Sequence, residues 1–474
     1  MKKNLFITSL LVSLTLTSIQ LHADFFGATS ITQPYGGAVY SVAWSPDDNY
    51  LAVGGNSPTD GNELQVFSFN SFSITKITAA CQNFGSTVYS VAWSPDGNYL
   101  AVGGSSPTDG NELQIFSFNG SSTTKITAAC QDFGSYVLSM AWSPDGNYLA
   151  VGGYTPTDGN ELQVFSFNGS SLTKITAACQ DFGSYVHSVA WSPDGNSLAV
   201  GGLTPTDGTN EIQVFSFNGS STTKITAACQ DFGGVVYSVA WSPDGNYLAV
   251  GGSGPTDGTN ELQVFSFNGS STTKITAACQ DFGSAVWSVA WSPDGNYLAA
   301  SGNIQLMAFS FNGSSTTKIT SASKGFGSYV RSVSWTSNGN YLAVGGDNSI
   351  TDIGIFIRGS FLNGDAFAYH LSTHYPFEDG GAVSGTARFK DGFSVASNQK
   401  LLLNLLVPVK GDIYLGNNTT LHLDNDLSLN GNLSAIRGII DGNSNTIYLD
   451  NNLTFTSPTI LHVSSDTVIN GRNH

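Results

Sequence analysis

The sequence predicts an all-β protein: a seven-bladed β-propeller of four-stranded antiparallel blades closed by its N-terminal strand, with a short C-terminal β-solenoid-like segment. Three observations predict it. A unit of the form Val-x-Ser-Val-Ala-Trp-Ser-Pro-Asp-Gly-Asn-Tyr-Leu-Ala-Val-Gly-Gly recurs with its tryptophan at Trp44, Trp93, Trp142, Trp191, Trp241, Trp291 and Trp335, and self-similarity at a fixed period marks a repeat architecture. Each unit holds four short apolar stretches separated by turn residues. Charged residues make up only 11% of the chain and aromatic ones 12%, a balance suited to short strands and tight turns rather than disorder.

Within one unit, Val88 to Ser94 alternates in the strand manner, and Ser94-Pro95-Asp96-Gly97 is a turn built on proline's fixed φ and glycine's freedom. Tyr99 to Gly103 reads as the second strand. A loop with Pro107, Asp109 and Gly110 leads to the third, Glu112 to Phe118, and Asn119-Gly120 turns the chain into the outermost strand, Thr124 to Gln131. The tryptophan spacing rises from 49 to 50 where Thr209 or Thr259 lengthens a loop, and falls to 44 where six residues are lost between Leu298 and Phe309. Variation in length therefore sits in turns.

This core resembles the repeats of the WD40 family of propellers, over roughly Thr29 to Ile357. The resemblance implies a surface that holds peptides or protein segments. The match departs from the family pattern at two points: Phe84-Gly85 stands in place of Gly-His, and Phe-Ser-Phe in place of the Trp-Asp ending, so the family's side-chain network is not expected. Ala28 to Val39 aligns with Ile77 to Val88, matching Gln33 to Gln82 and Tyr35 to Phe84. The N-terminus thus reads as the outer strand missing from a last blade that otherwise ends at Ile353 to Ile357, and pairing the two removes exposed edges.

The opening Lys2-Lys3, the apolar run Leu5 to Ile19 and Leu21-His22-Ala23 before Asp24 have the form of a secretory signal. The expected plan is residues 1–23 signal peptide, 24–358 propeller, 359–400 Gly-rich connector and 401–474 a β-helix-like segment. In the last, Ile413-Tyr414-Leu415-Gly416-Asn417-Asn418 recurs as Ile447-Tyr448-Leu449-Asp450-Asn451-Asn452, which resembles the rungs of bacterial parallel β-helices. Val468 to Asn473 repeats the opening of Ile439 to Asn443, so the chain stops where another rung would begin. No later stretch reaches the roughly 20 apolar residues of a spanning helix. The expectation is an exported protein of a Gram-negative-type bacterium, in the periplasm, at the surface or secreted, and not integral to the membrane.

Without Lys2 and Lys3 the chain carries 15 basic against 34 acidic residues, a formal charge of −19, which argues against nucleic acid as a partner. Asp60 and Glu63, Asp109 and Glu112, Asp158 and Glu161, Asp207 and Glu211, and Asp257 and Glu261 fall on one rim. Asp132, Asp181, Asp231 and Asp281 share that face. The face is expected to be acidic, either a solvated turn-forming rim or an attractor of Ca²⁺ or a basic partner. Lys76, Lys125, Lys174, Lys224, Lys274 and Lys318 open the outermost strand and are placed at the opposite edge, making the ring electrically polar from face to face. Cys81, Cys130, Cys179, Cys229 and Cys279 occupy one equivalent position per repeat, too far apart for disulfides. Alternation in Ile77, Ala79 and Cys81 makes them small buried hydrophobes between blades.

No catalytic residue, metal site or cofactor is expected. His370-x-x-x-His374 with Glu378 has tolerable metal spacing but lies in the connector without a helix pattern, His187 is the only histidine of the ring, and no Gly-x-Ser-x-Gly occurs. The positions that differ freely between otherwise copied repeats flank the first strand's valine: Ala38/Tyr40, Thr87/Tyr89, Tyr136/Leu138, Tyr185/His187, Val235/Tyr237, Ala285/Trp287 and Tyr329/Arg331, with Tyr154 and Leu203 from the neighbouring loop. In a propeller they gather at the mouth of the central channel, with the composition of an interaction hot spot. The expected function is binding of a peptide or protein loop there. The alternatives are a surface adhesin or structural exoprotein, and a propeller hydrolase or small-ligand binder. Nothing in the sequence sets the oligomeric state.

Overall fold

Seven four-stranded antiparallel sheets follow one another along the chain. Blade 1 comprises Val39–Trp44, Tyr50–Gly55, Leu64–Phe69 and Ile74–Lys76, and blades 2 to 6 repeat this meander. The computed structural model describes residues 31–70, 73–325, 328–347 and 352–357, and beyond them the strands that lie between 360 and 471. The signal reading of residues 1–23 and the residues His374 and Glu378 lie outside the described residues. Blade 7 takes Val330–Trp335, Tyr341–Gly346 and Ile353–Ile357 from the end of the ring and Ile31–Gln33 from its beginning, with Gln33 opposite Ile353. Blades 1 to 5 show the same pairing in miniature, Gln82 bridging Leu64, so the N-terminal strand fills the role its alignment with Ile77 to Val88 implied.

Each repeat's turn is held by its own side chains. In blade 1 the Ser45 hydroxyl donates to Asp47 Oδ1 at 2.5 Å and accepts from Tyr50 N at 2.9 Å, while Asn49 N donates to Asp47 Oδ1 at 3.1 Å. The tryptophan that follows each inner strand ties the blades: Trp93 Nε1 donates to Ala43 O of the preceding blade at 3.1 Å. Trp44 closes the circle on Ser334 O at 3.1 Å. The Gly-Gly that ends each second strand is demanded by approach from two sides. A Cβ on Gly152 would run into Val186 of the next blade, and one on Gly153 into the Tyr136 carbonyl and the Phe133 ring of its own blade.

The outermost strand is shorter than the reading Thr124 to Gln131. It spans only Thr123–Lys125 in blade 2, and a 3-10 turn, Thr127–Ala129, carries the chain across to the next blade. The apolar positions there follow the turn, not a strand alternation. The outcome for the cysteines is unchanged: all five are free and buried, and burial pushes their thiols up. Cys81 Sγ donates to Ile77 O at 3.4 Å. We therefore expect all five thiols to resist a bulky maleimide at neutral pH until the ring is unfolded; rapid labelling of native protein, counted by mass, would overturn their placement.

Beyond the ring the strands pair in parallel, for example Ile413–Leu415 with Leu433–Ala435 and those in turn with Leu453–Phe455. The stretch read as an irregular connector contains strands of its own, and Gly381–Gly385 pairs in parallel with Leu401–Leu405 of the following segment.

Candidate functional site

The mouth of the channel is made by a defect repeated seven times. In every blade the ladder between the first and second strands slips by one residue, between Val39 and Ser41 in blade 1 and at the equivalent place in the other six. The extra residues are Tyr40, Tyr89, Leu138, His187, Tyr237, Trp287 and Arg331. A β-bulge leaves its residue unpaired and re-aims its side chain. Here it turns one freely varied side chain per blade out of the ladder, while Val39, Val88 and their counterparts stay buried in the core.

The varied side chains form a nearly continuous aromatic belt. Ring centroids lie 5.2 Å apart for Tyr40 and Tyr89, 6.1 Å for Tyr89 and Tyr136, and 6.2 Å for Tyr136 and Tyr154. Tyr154 stacks on Tyr185 at 3.9 Å, and Tyr185 on His187 at 5.3 Å. His187 meets Tyr237 at 5.5 Å, Tyr237 meets Trp287 at 4.3 Å, and Trp287 meets Tyr329 at 6.4 Å. Arg331 completes the circle, its guanidinium 4.8 Å from the Tyr40 ring, 5.3 Å from Tyr329 and 5.8 Å from Trp287. Blade 3 alone has an aliphatic bulge residue, Leu138, and there the belt steps outward through Tyr136 and Tyr154. Leu203 pairs with Tyr185 as Tyr154 pairs with Tyr136, at the ends of the second strands.

The belt is pinned. Arg331 donates from Nε and Nη2 to the two oxygens of Asp347, both at 2.7 Å. Burial works against its charge, but Asp347 outweighs that and pushes its pKa up. Trp287 Nε1 donates to Asn303 Oδ1 at 3.0 Å. Burial holds His187 neutral, its pKa lowered to about 4. An unfolded histidine titrates near 6.5, so between those values the unfolded chain carries the extra proton. Stability should therefore fall as pH drops from about 6.5 to about 4 and level off below, by on the order of 2 kcal/mol. His187→Gln should flatten that part of the profile in urea unfolding; an unchanged profile would show that another group is responsible.

The acidic rim differs from its sequence reading in two ways. Glu63, Glu112, Glu161 and Glu211 are buried and Glu261 half-buried; none is a free surface charge. Glu63 Oε2 accepts from Phe84 N at 2.8 Å and Gly85 N at 3.1 Å, fastening the approach to the next blade. Glu112, Glu161 and Glu211 repeat this grip, Glu261 holds Phe282 N, and at the ring's seam Asp352 Oδ2 takes Tyr35 N and Gly36 N, both at 2.8 Å. In blade 1's grip the Phe84 ring is buried and Gly85 sits at φ +102°, the left-handed conformation that lets the two successive amides converge on one carboxylate oxygen.

The lysines are also not on the opposite edge. Lys76 pairs with Asp60, Lys125 with Asp109, Lys174 with Asp158, Lys224 with Asp207 and Lys274 with Asp257. The outer strand ends at its lysine instead of beginning there, which brings the ammonium back to the loop. Burial is the largest single influence and raises the carboxyls, but the hydrogen bonds from the lysine and the neighbouring asparagine, with the lysine's charge, together outweigh it and lower them. Because these pairs are surface-exposed, Asp109→Asn should cost under about 1 kcal/mol, checked by thermal unfolding; a larger loss would mean the loop depends on the pair. The face-to-face polarity expected from the lysines is accordingly not present. What stays exposed on this face outside those pairs is the arc Asp132, Asp181, Asp231 and Asp281. Among the described residues no group of three or more His, Cys, Asp and Glu is set to hold a metal ion.

Comparison with known proteins agrees with this architecture. The model of the ELP1 first N-terminal beta-propeller matches residues 29–169, 70–220 and 127–269. The WD domain, G-beta repeat, matches 264–303 and 313–351. No curated protein matches. Among solved structures, a chain from the crystal structure of a mitotic checkpoint complex aligns over 75% of this chain and 99% of its own, with a TM-score of 0.53 and 21% identity, a likeness of fold alone. Repeats, blades and matched models together place the chain in the family of WD40-type β-propellers.

Proposed function

We propose that this protein is a non-catalytic interaction scaffold that holds a peptide or a protein loop at the aromatic mouth of its channel. The observation that carries the reading is the belt itself: a bulge in each of the seven blades aims a freely varied side chain toward one opening, neighbouring varied positions add Tyr136, Tyr154, Tyr185 and Tyr329, and nine of the ten side chains in mutual contact are aromatic. Clustered Tyr, Trp and Arg in a concave setting is the composition of binding hot spots. The N-terminal basic and apolar segment supports export, which would put this surface in the periplasm or outside the cell. No described helix is long and apolar enough to cross a membrane.

The test uses the full chain beside a variant with Tyr40, Tyr89, Tyr136, Tyr185, Tyr237 and Trp287 changed to alanine, both shown to be folded by circular dichroism. Pull-downs from envelope and host-cell extracts should yield a partner kept by the native ring and weakened more than a hundredfold by the variant, as two or more hot-spot losses imply. Equal capture by both would move binding away from the mouth.

A further inference from the structure

The mouth also constrains the backbone form of what it binds. Among the modes by which folded surfaces recognise peptides, three fix the backbone form of the guest: addition of a strand to a sheet edge, a helix laid in a groove, and capture of a polyproline II segment on aromatic rings.

Strand addition is blocked all round the ring. The mid-strand amide of each inner strand is already taken by a serine hydroxyl of the preceding blade, Val42 N donating to Ser332 Oγ at 3.1 Å and Val91 N to Ser41 Oγ at 3.1 Å. The same bond recurs at Met140, Val189, Val239, Val289 and Val333. Nearer the mouth every inner strand carries the bulge, which breaks the edge a new strand would need. A helix is about 10–12 Å across and requires a long apolar trough. The belt instead is a circular collar, its rings touching edge to face or stacked.

What a collar of tyrosines, one tryptophan and a histidine does offer is aromatic surface with hydroxyls beside it, most openly at the exposed Tyr136 and Tyr329. A polyproline II segment fits such a surface because its backbone has no internal hydrogen bonds, so its carbonyls can accept from hydroxyls while its pyrrolidine rings pack on aromatic faces, and it loses little entropy on binding.

Charge narrows the sequence further. On this face the loop aspartates Asp60, Asp109, Asp158, Asp207 and Asp257 are each matched by a lysine, and Arg331 is matched by Asp347. The glutamates are used in the fold. Of the repeated acids on this face, Asp132, Asp181, Asp231 and Asp281 stay exposed and outside these pairs. They precede the inner strands of blades 3 to 6, whereas the approaches to blades 1, 2 and 7 carry Pro34, Asn83 and Gly325 at the aligned place. One side of the collar is therefore acidic and the other is not.

Building on the binding role proposed above, we infer that the mouth takes a proline-rich segment in the polyproline II form, with arginine or lysine at the end that lies toward blades 3 to 6. The acidic arc supplies orientation and a salt-dependent on-rate more than affinity.

The experiment is selection of a phage-displayed random dodecapeptide library on the full chain, on the six-alanine variant, and on D132N/D181N/D231N/D281N. The native chain should enrich sequences containing two or more prolines and a flanking Arg or Lys. The six-alanine variant should lose the enrichment. The aspartate variant should keep the prolines and lose the basic residues, with a chosen synthetic peptide binding at least tenfold more weakly at low salt. Enrichment of proline-free or acidic peptides, or of none, overturns the inference and leaves the mouth as a binding site for another chemistry. Identical enrichment on the native chain and the six-alanine variant overturns the mouth itself.

Discussion

Asp352→Ala is expected to open the ring at its seam. The carboxylate accepts two amide hydrogens, from Tyr35 and Gly36, and no other described group replaces it. Losing a charged acceptor, leaving the buried Tyr35 amide unsatisfied and the more exposed Gly36 amide to solvent, costs about 3 kcal/mol. The same chemistry fails more gently elsewhere. Glu161 and Phe182 are 21 residues apart, so the chain itself keeps the halves of that junction close, while Tyr35 and Asp352 are 317 residues apart and depend on the closing contacts. Hydrogen exchange should therefore show loss of protection in Ile31–Gln33 and Ile353–Ile357 for Asp352→Ala, and a smaller, local loss for Glu161→Ala. Equal losses would mean that the Tyr35 side chain, buried with its hydroxyl on Glu63 O at 2.7 Å, holds the seam unaided.

Gly153→Ala is expected to be among the most damaging single methyl groups in the ring, at more than about 3 kcal/mol. Its Cβ would meet the Tyr136 backbone carbonyl, which belongs to the bulged strand and cannot rotate away. Gly152→Ala faces a valine side chain of the next blade, which can give, and should cost about 1–3 kcal/mol. The protein contains its own control: blade 6 has Ser301 at the first position and keeps Gly302 at the second, and the Ser301 hydroxyl reaches Ser288 O at 3.4 Å. Urea unfolding of the two variants tests the ranking. If Gly153→Ala lies within about 1 kcal/mol of the native chain, the bulge is free to flatten and does not fix the mouth.

Most of the ring was legible in the sequence because repetition supplies its own alignment. Gln33 against Gln82 and Tyr35 against Phe84 showed where the seam would close, and the positions that escaped copying located the mouth. Two features were not legible. Lys76 was placed at the far edge because the outer strand was read as continuous alternation, and a 3-10 turn of three residues, Thr78–Ala80, shortens that strand and moves the charge. The glutamates looked like a surface rim because sequence shows a carboxylate but not the two amides that bury it. The bulges leave a subtler trace: the varied residue always follows the inner valine, and across from it stands a glycine, preceded by a second in every blade but the sixth.

The seam has a consequence for how such a protein changes over generations. Asp352 grips Tyr35 and Gly36 as each glutamate grips the next Phe-Gly, and Trp44 reaches Ser334 as every tryptophan reaches the blade before it. The final junction thus follows the chemistry of those after blades 1 to 4, with aspartate and tyrosine in place of glutamate and phenylalanine. Duplication or loss of one of blades 1 to 4 would thus preserve the carboxylate grips and the tryptophan contacts, leave the closure untouched, and alter only the circumference. A gene of this kind can resize its opening in a single recombination event, and point substitutions at one residue per blade can then refit the new collar to a different guest.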